Sequence, residues 1–242
     1  IIKLHKFRNT TNIFSYTHSS LPNPIPNDPI LERYQPYYDF DFRTLTPVNN
    51  FIEDNVNKLR AYYKNNLESD LNNGIKLDET TAYIEIEQKL ETIGDSGFSI
   101  EFYAYFYYVN ESKSIFWFSR ESNWENGRHL GIAQIKEGDD TFFMIRNEKK
   151  SVKILQTSFF EWSHYILTIS SSGDVKFYIN GKKIETDNFN IGRVENRNRE
   201  NSYIGAYYPN NVSKILGFAK MSLKYFRVWN NTELLENEVE VL

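Results

Sequence analysis

Carboxylates, histidines and turn aspartates are the side chains of this sequence that could do chemistry, and their spacing limits what that chemistry is. Glycoside hydrolysis needs two carboxyl groups aimed into one cleft, which on a strand means acids at two-residue steps. Glu85 and Glu87 share a face, but no Glu-x-Asp-x-x-Glu pattern accompanies them, so both read as charges on the solvent side of a strand. His5, His18, His129 and His164 show no metal-ligand spacing and no shared strand, and are expected at the surface or rim. Asp95, Asp139, Asp140 and Asp174 fall in expected turns, where carboxylates and carbonyls can hold calcium, although turns also favour Asp for local hydrogen bonding. Calcium is the one metal these residues suggest, and no other cofactor is expected. Cysteine is absent, which removes disulfides, thiol catalysis and thiolate metal sites together.

Binding chemistry is better supported. Across Phe98 to Tyr108 one face carries Phe98, Ile100, Phe102, Ala104 and Phe106 and reads as core, while the other carries Tyr103, Tyr105 and Tyr107. A solvated face rarely needs three tyrosines, and such a row can stack sugar rings or anchor a protein, because Tyr joins apolar area to a polar tip. Trp124, in the polar loop Ser122 to Arg128, would extend the same surface, whereas Trp117 and Trp162 are expected in the core. The alternative is that other segments of the chain lie over the tyrosines.

These residues need strands to position them. Tyr165, Leu167 and Ile169 share one face and Val175, Phe177 and Ile179 another, joined by Ser171-Ser172-Gly173-Asp174 and followed by the hairpin signal Asn180-Gly181. Further strands are expected at Tyr37 to Phe42, Tyr83 to Glu87, Phe98 to Tyr108, Ile115 to Ser119, Leu130 to Ile135, Thr141 to Arg146 and Val152 to Leu155. Turn-forming clusters such as Glu137-Gly138-Asp139-Asp140 separate them, at the spacing of a sandwich or barrel. One segment breaks the pattern. Ile52, Val56, Leu59, Tyr63 and Leu67 recur at three- and four-residue steps, which predicts a helix over Asn50 to Asn73 that caps the sandwich. Residues 1–35, with Pro22, Pro24, Pro26 and Pro29, are expected to form a leader or strap.

The run from Trp162 through "YINGK" at Tyr178 to Lys182 resembles laminin G-like domains of the concanavalin A-like jelly-roll superfamily. So do the strand "FSIEFYAYF" at Phe98 to Phe106, "YIG" at Tyr203 to Gly205, and the closing strand at Met221 to Trp229. The likeness covers most of Tyr37 to Leu242 and implies an all-β antiparallel jelly-roll sandwich, residues 36–242, with the helical insertion at about 50–73. It also implies a recognition or adhesion module that binds a protein or glycan in an extracellular or cell-surface setting. Met221 and Lys224 stand where members often carry Gly and Asp, so no metal role carries over to the final turn. Gln134-Ile135-Lys136 resembles the Gln-Ile-His strand of polyuronate lyases with Lys in place of the imidazole, which argues against lyase chemistry.

Bulk properties narrow the partners. At 242 residues, with net charge −4 and no basic block, the chain has no electrostatic footprint for nucleic acid. No run reaches the ~18 apolar residues of a membrane span. Matches to the glycosylation pattern, such as Asn110-Glu111-Ser112, are as frequent as this Asn-, Ser- and Thr-rich composition produces by chance. Beginning at Ile1, the chain is expected to be a mature product or an excised fragment of a larger protein or assembly. Three readings follow: a non-catalytic binding module, a carbohydrate-active enzyme with an unorthodox site, or a structural scaffold domain.

Overall fold

The computed structural model describes residues 36–44, 50–65, 68–70, 74–78, 80–87, 94, 96–119, 129–148, 150–184, 188–195, 199, 201–207, 217–230 and 233–234. The leader expected over residues 1–35, together with Asp95 and Trp124, lies outside them. In chain order the first strands are β1 (Tyr38–Asp41), β2 (Phe51–Glu53), β3 (Arg60–Lys64), β4 (Glu68–Asp70), β5 (Gly74–Asp78), β6 (Tyr83–Ile86), β7 (Phe98–Phe106) and β8 (Lys113–Ser119). They continue as β9 (His129–Glu137), β10 (Asp140–Asn147), β11 (Lys150–Leu155), β12 (Trp162–Ile169), β13 (Val175–Ile179), β14 (Lys182–Ile184), β15 (Asn201–Ile204) and β16 (Lys220–Asn230).

All pair antiparallel in two eight-stranded sheets. The first runs β14-β13-β12-β7-β16-β5-β4, with β1 added on β16, and the second runs β11-β10-β9-β8-β15-β6-β3-β2. Strand β16 ties the first sheet together. Along one edge its first half pairs with β5 and its second half with β1, while its other edge pairs with β7 throughout.

Alternation sorts the side chains as the sequence suggests. Phe102, Phe106, Phe143, Tyr165 and Phe177 interlock between the sheets, with Phe102 stacked on Tyr165 at 5.0 Å and Phe106 edge-on to Phe143 at 5.4 Å. Burying each such ring contributes roughly 1.5–3 kcal/mol, so the aromatic core carries much of the folding energy. At the β13–β14 turn Asn180 and Gly181 take φ values of 51° and 76°, the paired left-handed geometry that matches the twist of a two-residue hairpin.

The helix expected over Asn50 to Asn73 is not formed. Strands β2 and β3 and the short β4 occupy this stretch, and the described residues contain no α-helix, only a 3-10 turn at Phe42–Thr44. The buried carboxylate of Asp54 explains the reversal. It accepts backbone N–H groups of Val56 (3.0 Å), Asn57 (2.8 Å) and Leu59 (3.3 Å), which closes a turn between β2 and β3 instead of a helical first turn. A fourth backbone donor, Asp39 N–H at 3.1 Å, anchors that turn to β1. Ile52 and Ala61 then face the core as strand residues, and Tyr63 pairs opposite Ile84 of β6.

Candidate functional site

The outward face of the first sheet is built in rows that cross β12, β7, β16 and β1. Ser99, Glu101, Tyr103 and Tyr105 alternate outward on β7 because Phe98, Ile100, Phe102 and Ala104 face the core. Cross-strand register then sets their neighbours. Trp162 lies opposite Tyr105, which lies opposite Ser222; His164, Tyr103 and Tyr225 form the next row, and Glu101, Arg227 and Asp39 the third.

Tyr103 is the centre of an aromatic platform. Its ring is nearly parallel to Trp162 (centroids 5.6 Å apart, planes 5° apart) and to Tyr225 (5.8 Å, 17°). Tyr105 leans on Trp162 at 5.8 Å and on Tyr107 at 4.9 Å. All five rings are partly exposed. A β-bulge between Leu223 and Tyr225 adds Lys224 to this face. Its ammonium sits 4.2 Å from the Trp162 ring centroid and 5.7 Å from that of Tyr103, a cation held against two aromatic faces.

Charged groups brace the platform from below. Glu101, only 2% exposed, accepts from His164 Nε2 at 2.6 Å and Tyr225 OH at 3.2 Å through one oxygen, and from Arg227 Nη1 at 3.2 Å through the other. Arg227 Nε also donates to Asp39 at 2.8 Å. Burial pushes the Glu101 carboxyl up, yet the hydrogen bond and charge of His164 and the nearby Arg227 outweigh it and hold the pKa below the usual carboxylate value. Desolvation works against the Arg227 cation too, but Glu101 and Asp39 raise its pKa further still. Burial alone raises the Tyr103 hydroxyl. So deep a carboxylate does not reach a ligand; the network fixes the rings above it.

The structure brings Tyr103, Tyr105 and Tyr107 together. It also corrects two placements. Trp162, expected in the core, belongs to the platform, and His164, expected at the rim, is part of the buried network. Counting alternate residues back from core-facing Tyr165 turns both Trp162 and Ser163 into a decidable pair, and puts Trp162 with His164 on the outside. Asp139 sits in the β9–β10 connection, and Asp140 opens β10 opposite Glu137. Asp174 lies in the β12–β13 hairpin, where its carboxylate accepts from Ser172 Oγ, from Ser170 Oγ at 3.2 Å and from Asn190 Nδ2 at 2.7 Å. Among the described residues no three His, Cys, Asp or Glu side chains are grouped to hold a metal ion.

The second sheet carries an outward row of its own. Phe51, Tyr62, Glu85, Tyr203 and Trp117 succeed one another across β2, β3, β6, β15 and β8. Trp117, also expected in the core, is buried on this outer side, where its ring covers Gly131: a Cβ there would meet Trp117 Cε3 at 2.8 Å. His129 stacks on the same indole at 4.3 Å, and burial together with the Arg146 charge lowers its pKa to about 3. It is a buried neutral imidazole, not a rim residue.

Two antiparallel sheets face to face, with a half-exposed aromatic outer surface, define a jelly-roll sandwich of the lectin-like binding class. The chain belongs to the concanavalin A-like lectin/glucanases superfamily, whose laminin G-like family model matches residues 78–240. Among solved structures it is similar to the ligand binding domain of Botulinum neurotoxin serotype D in complex with N-acetylneuraminic acid (TM-score 0.61, 12% identity, 85% of this chain and 50% of that one). It is similar as well to a Botulinum neurotoxin type C structure described by cell entry that depends on interaction with two ganglioside molecules (0.59, 16%, 85% and 50%). A third is a mutant Trypanosoma rangeli sialidase displaying trans-sialidase activity (0.60, 12%, 84% and 32%). The chain thus spans about half the length of the neurotoxin chains and about a third of the sialidase. No curated protein sequence matches it.

Proposed function

We propose that this domain is a non-catalytic recognition module that holds a glycan against the platform of Tyr103, Tyr105, Tyr107, Trp162 and Tyr225, as one part of a larger secreted or cell-surface protein. The supporting observation is the near-parallel trio of Trp162, Tyr103 and Tyr225 with the Lys224 ammonium between rings. Aromatic edges and faces meet the C–H surfaces of a sugar, and the ammonium of Lys224, a residue 3% exposed, holds the rings in place rather than meeting the ligand. Sialylated oligosaccharides are the first probes, in keeping with the N-acetylneuraminic acid and ganglioside named for the similar neurotoxin structures.

Screening the domain against sialylated and neutral oligosaccharides, with affinities by calorimetry, tests the proposal. Trp162→Ala and Tyr103→Ala should each weaken the best ligand by about tenfold or more, the loss of one stacked ring. Tyr103→Phe should retain binding, and circular dichroism should be unchanged. Binding that survives both alanine variants moves the site elsewhere, and capture of protein but no glycan overturns the ligand class. Release of reducing ends or unsaturated products from a polysaccharide panel would overturn the non-catalytic part.

A further inference from the structure

Phe160 is the most exposed large apolar side chain among the described residues, at 59%. Its surroundings put it on the aromatic face of the first sheet. It stands two residues before Trp162, its N–H donates to Phe106 O at 2.9 Å, and its ring meets that of Tyr107 edge-on at 6.4 Å. Tyr107 in turn leans on Tyr105 at 4.9 Å, and its N–H donates to Lys220 O at 3.3 Å, which carries the β7–β16 ladder one pair further. Phe160, Trp162 and His164 thus follow one another at two-residue steps beside Tyr107, Tyr105 and Tyr103. The aromatic face runs one rung beyond Trp162. That rung was not legible in the sequence, because a Trp162 assigned to the core sends Phe160 inward with it.

Phe160 has φ of +57°, a left-handed conformation that a bulky side chain adopts at a cost, so the fold holds this ring in water against local strain. Polar atoms are set among the rings as well. The Tyr107 hydroxyl lies 3.5 Å from Oγ of Ser222, the residue opposite Tyr105 on β16. Linked sugars present apolar C–H faces and hydroxyl groups in turn, and so meet both kinds of group. An acyl chain or an apolar protein patch would strip water from these hydroxyls without replacing its hydrogen bonds. From Tyr103 to Tyr107 the strand rises about 14 Å, at ~3.4 Å per residue, further than one sugar ring reaches.

We infer that the site takes a linked oligosaccharide of several units laid along β7, with one unit held by Phe160 and Tyr107 and the others by Trp162, Tyr105, Tyr103 and Tyr225. The ligand class is a stretch of glycan chain, not a single terminal sugar. Phe160 adds to the glycan reading of the platform, on which this rests, a residue that senses chain length. The other two exposed apolar residues take no part: Leu155 belongs to β11 of the second sheet, and Tyr108 packs with Phe159 and Lys136.

Calorimetry with short and long probes tests it: lactose and sialyllactose against lacto-N-hexaose and its sialylated form. The wild-type chain should bind the long member of whichever pair it prefers about tenfold or more tightly than the short one. Phe160→Gly removes the ring and suits the left-handed backbone, so it should keep the melting temperature and the affinity for the short sugar while losing about tenfold for the long one. Phe160→Trp should keep the dependence on length. Short-sugar binding with no gain from length, or a Phe160→Gly loss that is absent or equal for both lengths, overturns the extended site and leaves the platform standing. Failure of every probe, neutral and sialylated, overturns both.

Discussion

Glu101 and His129 are both buried ionisable side chains whose pKa is held down, Glu101 in its charged form and His129 in its neutral form, so both lose stability as the pH falls. Glu101 is ionised in the fold with its pKa held down, so the stability it contributes is present above about pH 4.5 and is lost as the pH falls through its lower folded value. His129 is neutral in the fold with a pKa of about 3, against an ordinary value of 6.5. Between those two values the unfolded chain takes up a proton that the folded chain refuses, so stability should fall by up to about 1.4 kcal/mol per pH unit. Urea unfolding at pH 7, 5.5 and 4.5 should show this slope, and His129→Gln should flatten it; an unchanged slope would remove the assignment to His129. Glu101→Gln leaves Arg227 and His164 facing a neutral amide and should cost about 3 kcal/mol by the same measurement. Of this constellation, Tyr103, Tyr105 and Tyr107 were legible because alternation against a phenylalanine core is unambiguous. Trp162 was misplaced because its hydrophobicity outweighed its phase; Trp117 is buried as expected but on the outer side of its sheet, because it stands between Phe116 and Phe118, both core residues, and must face away from them.

Among the elements, β16 carries the most structure per residue, and its bulge decides what the platform contains. Lys224 is the extra residue, inserted where the strand changes partner from β5 to β1. Gly74 fits against that irregularity: its φ is +78°, and a Cβ would stand 2.2 Å from Leu223 O. Gly74→Ala should therefore cost about 2 kcal/mol or more and displace Lys224 from the rings of Trp162 and Tyr103, read as a lower urea midpoint together with weaker glycan binding. A bulge leaves no periodic mark, so Lys224 was legible only as a departure from related sequences. The segment after β2 failed for a related reason. Apolar positions at three- and four-residue steps occur there, but Asp54 gives its carboxylate to backbone N–H groups of the turn, and β6 offers β3 a ladder that an isolated helix would have to forgo. Asn55 and Asn57 in that turn were the local signal against a helix.

At the scale of the whole molecule the two ends of the described chain close the first sheet together. Tyr38 pairs opposite Val228, and beyond β16 the Leu234 N–H returns to Ser99 Oγ at 3.0 Å while Glu233 bonds Lys176 at 3.0 Å. A chain that starts at Tyr37 should melt cooperatively. One that starts at Asn50 lacks β1 and Asp39, leaves Arg227 half-paired and opens a sheet edge; thermal circular dichroism should show its transition lost or far lower. Leu234 is fully buried, and Leu234→Ala should destabilise by roughly 2–3 kcal/mol in urea. Pairing between residues so far apart in sequence is slow to find, which predicts refolding in milliseconds to seconds by stopped-flow fluorescence. Strand identity, hairpin corners and the outward tyrosines were determined by the sequence itself, because period-two alternation and Asn-Gly turns act through neighbouring residues. Which strands lie side by side was decided only in three dimensions, by hydrogen-bond ladders and core packing that join distant segments. That choice set Trp162, Tyr103 and Tyr225 in parallel and placed Glu101 between His164 and Arg227.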